Sequence, residues 1–557
     1  MSTQLSYLSQ VGYGYDTVVA VSQIGVNSTF KNYYTAAKGK FSTVTAYFIK
    51  DSSGNAVQVD KATLLAQTNG IDPLTVTSAQ SAQIATLKKS PFYFAFSFIP
   101  GDPASVASWN YNYLKFIPGT QKVIYTLCCK TIQLAFYDAV ANNWVNDSQT
   151  TTLYSINSTI TLQNVLNNDN LPPNIQQEVD DLGNAGLSVY QLLFDMDTAV
   201  VDPSTNIPVL ENNNPIFTPL AQNFITAYLD AYNAVVAPVL NYSITQPNSA
   251  TLVPTSMNFC FEQLVDDNGK VITAPTLAQQ NLSTLNYLFA TGGKTLPPIA
   301  QINWNWLDED DYQGAMAIDR NTLAHYFDAQ LKNYVLYNCW VPGIEVGNLL
   351  TGEYRVDMNS GTYESQWGVQ AFNLNDLYAG FPDTLLQYIF SSKAEATGWA
   401  PTDTMTVSTY FELTLNVDTP TDNPLSQTLT LGQSLWIMVD ATGNAGIKGN
   451  TPYNGAPIKK LFTDVFTVGI GTTGDLVFTN SSSTVDDQSD SSANIPEYVQ
   501  QALGTYVTWT TASSFTQVPI SMPKQFVFPG GTTFTFKNAG FSQYSDLVCN
   551  ITYNAVS

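Results

Sequence analysis

Charge and histidine are what this chain is short of. Asp, Glu, Lys and Arg make up 12% of its 557 residues, and its one histidine is His325. An ordinary globular chain carries about twice that share of charge. A Ser-His-Asp triad would have to use His325, and no Gly-x-Ser-x-Gly elbow accompanies it: Gly432-Gln-Ser434 and Gly540-Phe-Ser542 both lack the second glycine. On a helix beside Ala324 and Tyr326, the lone histidine reads as a satisfied, partly buried residue rather than a base. Five cysteines (Cys128, Cys129, Cys260, Cys339 and Cys549), odd in number and without a Cys-x-x-Cys, supply neither a disulfide framework nor a zinc site. They read as reduced, mostly buried thiols, with Cys128 and Cys129 on opposite faces of one strand. No run of eighteen apolar residues occurs, which excludes a membrane-spanning helix. The opening Met-Ser-Thr-Gln-Leu-Ser-Tyr-Leu-Ser-Gln has neither the basic nor the apolar region of a signal peptide. A soluble protein made in the cytoplasm is expected, with any release by a route that needs no signal peptide.

Phosphate and metal motifs are equally thin. Gly469-Ile-Gly471-Thr-Thr-Gly474 has dinucleotide spacing, but Asp475-Leu-Val-Phe-Thr follows with a strand pattern, so no helix N-terminus meets a pyrophosphate. A hairpin turn is the expectation there. Gly293-Lys294-Thr295 has Leu288 where a phosphate loop needs its first glycine, and Asp308–Asp311 has Gln313 where a calcium loop turns on glycine. The chain therefore reads as non-enzymatic, with no cofactor and no metal. A net charge of −23 should keep it off nucleic acid and off strongly anionic membranes.

Aromatic residues, in contrast, reach 12%, within a hydrophobic share of 44%. Phe92, Phe94, Phe96 and Phe98 take every second place, which in a strand puts four rings on one face. A longer stripe runs Val407, Thr409, Phe411, Leu413, Leu415 and Val417, interleaved with Ser408, Glu412, Thr414 and Asn416. Val44, Ala46 and Phe48 alternate ahead of a turn at Asp51–Asn55; residues 121–137 read as one long strand, and Leu435, Ile437 and Val439 mark another. Phe534 and Phe536 follow a tight turn at Pro529-Gly530-Gly531. Helices are expected at 218–237, with Thr218 as N-cap and Pro238 as stop, at roughly 321–336, and from Pro496 to about Leu503. Asn480–Asn494, rich in Ser and Asp, reads as an exposed mobile loop, and 167–173 and 202–215 as linkers.

One internal echo bears on organisation. Tyr15-Asp-Thr-Val-Val-Ala-Val21, followed by Ile24, Val26 and Phe30, resembles Tyr312-Gln-Gly-Ala-Met-Ala-Ile318, followed by Leu323 and Phe327. Each is a short strand running into a helix. Duplication and chance both account for it; duplication divides the chain into similar halves, 1–300 and 301–557.

Three blocks resemble the clostridial neurotoxin-cluster accessory proteins of the forty-seven-kilodalton class, within the tubular lipid-binding (TULIP-like) superfamily. They are Gly14-Tyr15-Asp16-Thr17-Val18-Val19-Ala20, where the family's usual tryptophan is Tyr15; Leu285–Leu288 with Leu296-Pro297, Asn303-Trp-Asn-Trp306 and Gly314–Ile318; and Phe528–Phe536 with Asp546-Leu-Val548 and Ile551-Thr-Tyr553. The resemblance spans essentially the whole chain. It implies an α+β fold of long, strongly curved antiparallel sheets wrapped around long helices, enclosing an apolar groove; the division into two similar halves rests on the echo alone. The groove residues would be Phe92, Phe94, Phe96, Phe98, Phe224, Tyr228, Phe411, Leu413 and Leu415, although packing in a closed core explains each of them as well. The partner implied is a lipid or other hydrophobic small molecule; an acyl chain of about sixteen carbons would gain on the order of 12 kcal/mol gross in such a groove. Two alternatives stay open: an interaction component binding other proteins of a toxin-type gene cluster or secreted assembly, and an insecticidal or pore-forming toxin using 405–439 as its hairpin.

Overall fold

The computed structural model describes residues 3–28, 39–101, 112–149, 156–166, 188–235, 239–245, 254–308, 312–348, 353–359, 383–398, 402–418, 425–442, 452–471, 476–504 and 531–555. The fold is mixed α+β, and every described strand pairing is antiparallel.

Along the chain, β1 (Thr17–Ser22) is followed by β2 (Val44–Lys50), β3 (Ala56–Val59) and β4 (Phe92–Pro100). The Asp51 side chain closes the β2–β3 turn by accepting hydrogen bonds from the Ser53 and Asn55 amides. Next come β5 (Leu114–Ile117), β6 (Lys122–Leu127), β7 (Cys129–Asp138) and β8 (Asn143–Gln149). Then follow β9 (Ile156–Leu166), β10 (Ser188–Val201), a long helix (Phe217–Val235) and β11 (Val239–Thr245). Two sheets result, ordered β3-β2-β4-β7-β8 and β11-β10-β9-β6-β5.

The single strand expected over 121–137 is thus two strands in different sheets. Cys128 is the break. Its carbonyl leaves the ladder and accepts instead from the Gly101 amide (3.0 Å) and the Tyr228 hydroxyl (2.8 Å). Periodicity runs on through such a bend because side chains on either side still face the same core.

A third sheet, central in that it joins strands from the start, middle and end of the chain, has six strands. Its further members are β12 (Ser256–Glu262), β13 (Thr284–Ala290) and β14 (Gly314–Ile318), and at the end of the chain β22 (Gly531–Phe541) and β23 (Leu547–Ala555). The order β12-β13-β1-β14-β23-β22 reads alike from either edge: a leading strand in the middle, then a closing hairpin. The two segments of the sequence echo pair with each other, and Val19 faces Met316, its own counterpart in that echo. One face of this sheet joins the main core through Val19, Tyr287, Phe289 and Met316; the other packs Val18, Leu288 and Ala317 under Trp304 and Trp306.

A second long helix (Arg320–Asn338) follows β14, capped by the Asp319 side chain, which accepts from the Asn321 and Thr322 amides. A two-stranded ribbon, β15 (Val341–Asn348) and β16 (Glu353–Asn359), leads to a sheet of long strands in simple sequence order. These are β17 (Thr384–Thr397), β18 (Thr404–Val417), β19 (Thr428–Thr442), β20 (Tyr453–Ile470) and β21 (Leu476–Asp487). β18 and β19 alternate buried and half-buried residues nearly end to end, as their sequence pattern requires. The glycine-rich segment 469–474 joins β20 to β21, which pair antiparallel from Ile470 and Leu476 onward.

The loop expected over 480–494 is corrected in its first half, since β21 runs to Asp487. Residues 480–487 are exposed, and all but Val485 polar, because they form an edge, while backbone bonding to β20 holds them extended. His325 is likewise not partly buried but exposed on the outer side of its helix. Helix Glu497–Leu503 ends at Gly504, in the left-handed region at φ 55°. Pro529, Gly530 and residues 167–173 lie outside the described residues.

Candidate ligand-binding interior

The stripe in β4 is a wall built of rings. Phe94, Phe96 and Phe98 are fully buried, and they meet the first long helix through Phe224 (centroids 5.3 Å from Phe96 and 4.7 Å from Phe98) and Tyr228 (5.7 Å from Phe98). That helix also reaches the other sheet, where the Gln222 amide donates to the Ala199 carbonyl at 3.0 Å. It therefore lies between two sheets.

Phe92 does not belong to this wall. The β2–β4 register shifts between Phe48, opposite Phe94, and Ile49, opposite Phe92, leaving Tyr93 as an extra residue. A bulge of this kind reverses the facing of everything beyond it. Tyr93 joins the main core, while Phe92 turns to the opposite face beside Trp144, at 5.9 Å.

Phe411, Leu413 and Leu415 are buried on the inward face of the β17–β21 sheet, aligned with Leu435 and Leu431 of β19. The second long helix lies over this face. Phe327 meets Phe478 of β21 edge-to-face at 5.6 Å, and the Tyr388 hydroxyl of β17 donates to the Asp328 carboxylate. At the end of the helix, Thr409 donates to the Trp340 carbonyl at 2.5 Å.

Besides Thr409, two polar residues interrupt this apolar face, and the sequence reading overlooked both. Gln433 stands inward between Leu431 and Leu435, and Asp464 stands inward between Phe462 and Phe466. The signal was present: each is a polar residue at a position where the alternation demands an apolar one. The Tyr334 hydroxyl donates to Gln433 Oε1 at 2.6 Å. Burial pushes the Tyr334 phenol up to about 12, against that hydrogen bond and with help from the Asp464 charge.

A second polar cluster straddles the central sheet. Asp16 accepts from the Thr291 amide and hydroxyl (2.7 and 2.9 Å), from Lys294 Nζ (2.7 Å) and from the Thr322 hydroxyl (2.9 Å). Asp546 accepts from the Ser6 hydroxyl, the Leu8 amide and the Arg320 amide. Burial, and then the charge of Asp546, push Asp319 up to about 8; burial pushes Asp546 up to about 6 against its hydrogen bonds and the Arg320 charge. Glu262, bonded by the Asn286 side chain (2.5 Å) and the Ile302 amide (3.0 Å), is pushed by burial up to about 7. These groups tie residues near both ends of the chain to its middle. They form a clasp: each carboxylate accepts from amides, hydroxyls or cations of the protein itself, through one oxygen in Asp319, whose Oδ1 has no hydrogen-bond partner.

No family model matches the chain, and no curated protein matches it. Among solved structures, P47 from Clostridium botulinum A2 aligns over 97% of this chain and 97% of its own, at 10% identity and a TM-score of 0.42. P47 of Clostridium botulinum E1 aligns over 97% and 100%, at 11% identity and 0.44, and lipopolysaccharide binding protein over 98% and 99%, at 9% identity and 0.28. Over nearly its full length, and at low sequence identity, this chain is structurally similar to botulinum P47 and to lipopolysaccharide binding protein.

Proposed function

We propose that this protein is a non-enzymatic binding protein for a lipid or other hydrophobic small molecule, held between a curled sheet and a helix. One observation carries the reading. Phe327 and Asp328 are neighbours on the second long helix, yet one reaches β21 and the other β17, the two edges of a five-stranded sheet. Tyr388 is level with Leu413, Gln433 and Phe462, whereas Phe478 is level with Val468, six residues further along β20. On a flat sheet those offsets would hold Tyr388 and Phe478 about 28 Å apart. Adjacent helix residues, whose Cα atoms are about 3.8 Å apart, meet both edges more readily over a sheet that curls around them, which supports a curled sheet. The antiparallel order, the inward stripes and the polar outer positions all favour such a trough, with Phe411, Leu413 and Leu415 on its wall. In the first half Phe94, Phe96, Phe98, Phe224 and Tyr228 fill the corresponding place. The mirrored strand order of the central sheet supports two similar halves that meet between β1 and β14.

A pore-forming role for 405–439 has less behind it. β18 and β19 are inner strands, laddered to β17 and β20 as well as to each other, so release of the hairpin would break two full ladders. The protein-interaction alternative would use the exposed edge of β21.

Organic extraction of the purified full-length protein followed by mass spectrometry tests the reading. A co-purifying amphiphile near one per chain is expected. An extract with no such species, together with no uptake of an acyl probe by the extracted and refolded protein, would overturn it.

A further inference from the structure

We infer that the trough of the β17–β21 sheet receives its ligand by a hydroxyl-bearing, non-anionic head group, seated on Gln433 and Asp464 beneath Tyr334. The inference rests on the binding reading above and names the ligand class.

Gln433 lies opposite Phe462 and Asp464 opposite Leu431, so the two are diagonal neighbours on one face of adjacent strands. They are 3% and 4% exposed. Gln433 Nε2 has no acceptor, and Asp464 Oδ2 has no donor. Buried polar side-chain atoms find partners in the large majority of cases, and each exception calls for an explanation. Here two exceptions are adjacent and complementary. A hydroxyl satisfies both, accepting from Nε2 and donating to Oδ2. A carboxylate could accept from Nε2, but it would bring a second negative charge to Asp464.

The site also has a way in. On the same face of β21, Ser483 pairs with Asp464 and Val485 with Phe462, and both are open to solvent, Val485 being 59% exposed. The wall is therefore closed along β19 and β20 and open at the β21 edge beside the polar pair. From there an acyl chain would run inward past Leu431 and Phe466.

Titration of the delipidated full-length protein with monolaurin and with laurate at pH 8 tests this. Both probes carry a twelve-carbon chain and differ in the head. Wild-type protein should bind monolaurin at least tenfold more tightly than laurate, and Asp464→Asn should narrow that gap at least fivefold, chiefly by tightening laurate. Equal binding of the two probes by wild type, or an unchanged ratio in Asp464→Asn, overturns the head-group site and leaves the general binding reading standing. Failure of both probes overturns the general reading, and this one with it. A Gln433→Leu/Asp464→Leu variant that melts higher with the ratio unchanged would assign the pair to buried water and likewise overturn the site.

Discussion

Tyr228 donates its hydroxyl hydrogen to the Cys128 carbonyl at 2.8 Å, across the bend where β6 leaves one sheet and β7 enters another. The helix thereby completes a carbonyl that the break takes out of the ladder. Tyr228→Phe keeps the ring and removes the donor. A loss of about 1–2 kcal/mol is expected, read as a lower urea midpoint with an unchanged slope. No change in midpoint would mean that the Gly101 amide alone suffices there.

The bulge at Tyr93 separates two phenylalanines that look equivalent in sequence. Phe98 is fully buried among Phe96, Phe224 and Tyr228, whereas Phe92 is half-buried beside Trp144. Phe98→Ala should cost about 3–5 kcal/mol and Phe92→Ala clearly less, measured side by side by chemical denaturation. Equal losses would contradict the opposite facing of the two rings.

Three buried carboxyl groups set the pH dependence. Asp319, Asp546 and Glu262 all have raised folded-state values, at about 8, 6 and 7. A raised value means that the folded chain holds protons the unfolded chain has released. The stability this gives is complete near pH 4 and drains away as pH climbs to about 8. For Glu262, displaced from an ordinary 4.5, the change is on the order of 3 kcal/mol. Carboxylates with lowered values, such as Asp51 and Asp266, act in the opposite sense only below pH 4. The melting temperature should therefore fall between pH 5 and 8.5, and Asp319→Asn should flatten the slope. A melting temperature that rises across that range would refute the assignment.

Gly314 begins β14 where nothing larger fits. A Cβ at this position would lie 2.4 Å from the Ala20 carbonyl oxygen and 2.9 Å from Ile551. The carbonyl belongs to a laddered strand and cannot step aside. Gly314→Ala should destabilise by about 1–3 kcal/mol by prising β1 from β14, whereas Gly469→Ala, with open space at its Cβ, should have little effect. Thermal melts of the two variants settle the comparison.

What could be read from sequence was whatever depends on near neighbours. The β18 stripe, the Asp51 turn and the end of the last helix at Gly504 follow from alternation, side-chain capping and glycine. The bulge at Tyr93 escaped because one extra residue leaves composition and spacing almost untouched. The bend at Cys128 escaped because it is held by Tyr228, a hundred residues away. The outer half of β21, residues 480–487, escaped because an edge needs no greasy face, only a long partner such as β20. Asp16, Asp319 and Asp546 resemble solvent-facing acids in any local window; their burial arises only when segments more than two hundred residues apart meet. Gln433 and Asp464 were visible as breaks in a pattern, but only a sheet with a closed inner side gives such breaks meaning.

Because β1 and β14 lie side by side in the middle of one sheet, a cut anywhere in 291–313 would not free two tidy modules. Each product would keep three strands and bare a row of amides and carbonyls, Thr17–Ser22 on one and Gly314–Ile318 on the other. Made alone, such pieces would stick to themselves. Made together, each is the other's natural lid, which suits this protein to use as a split reporter whose signal appears only on reunion.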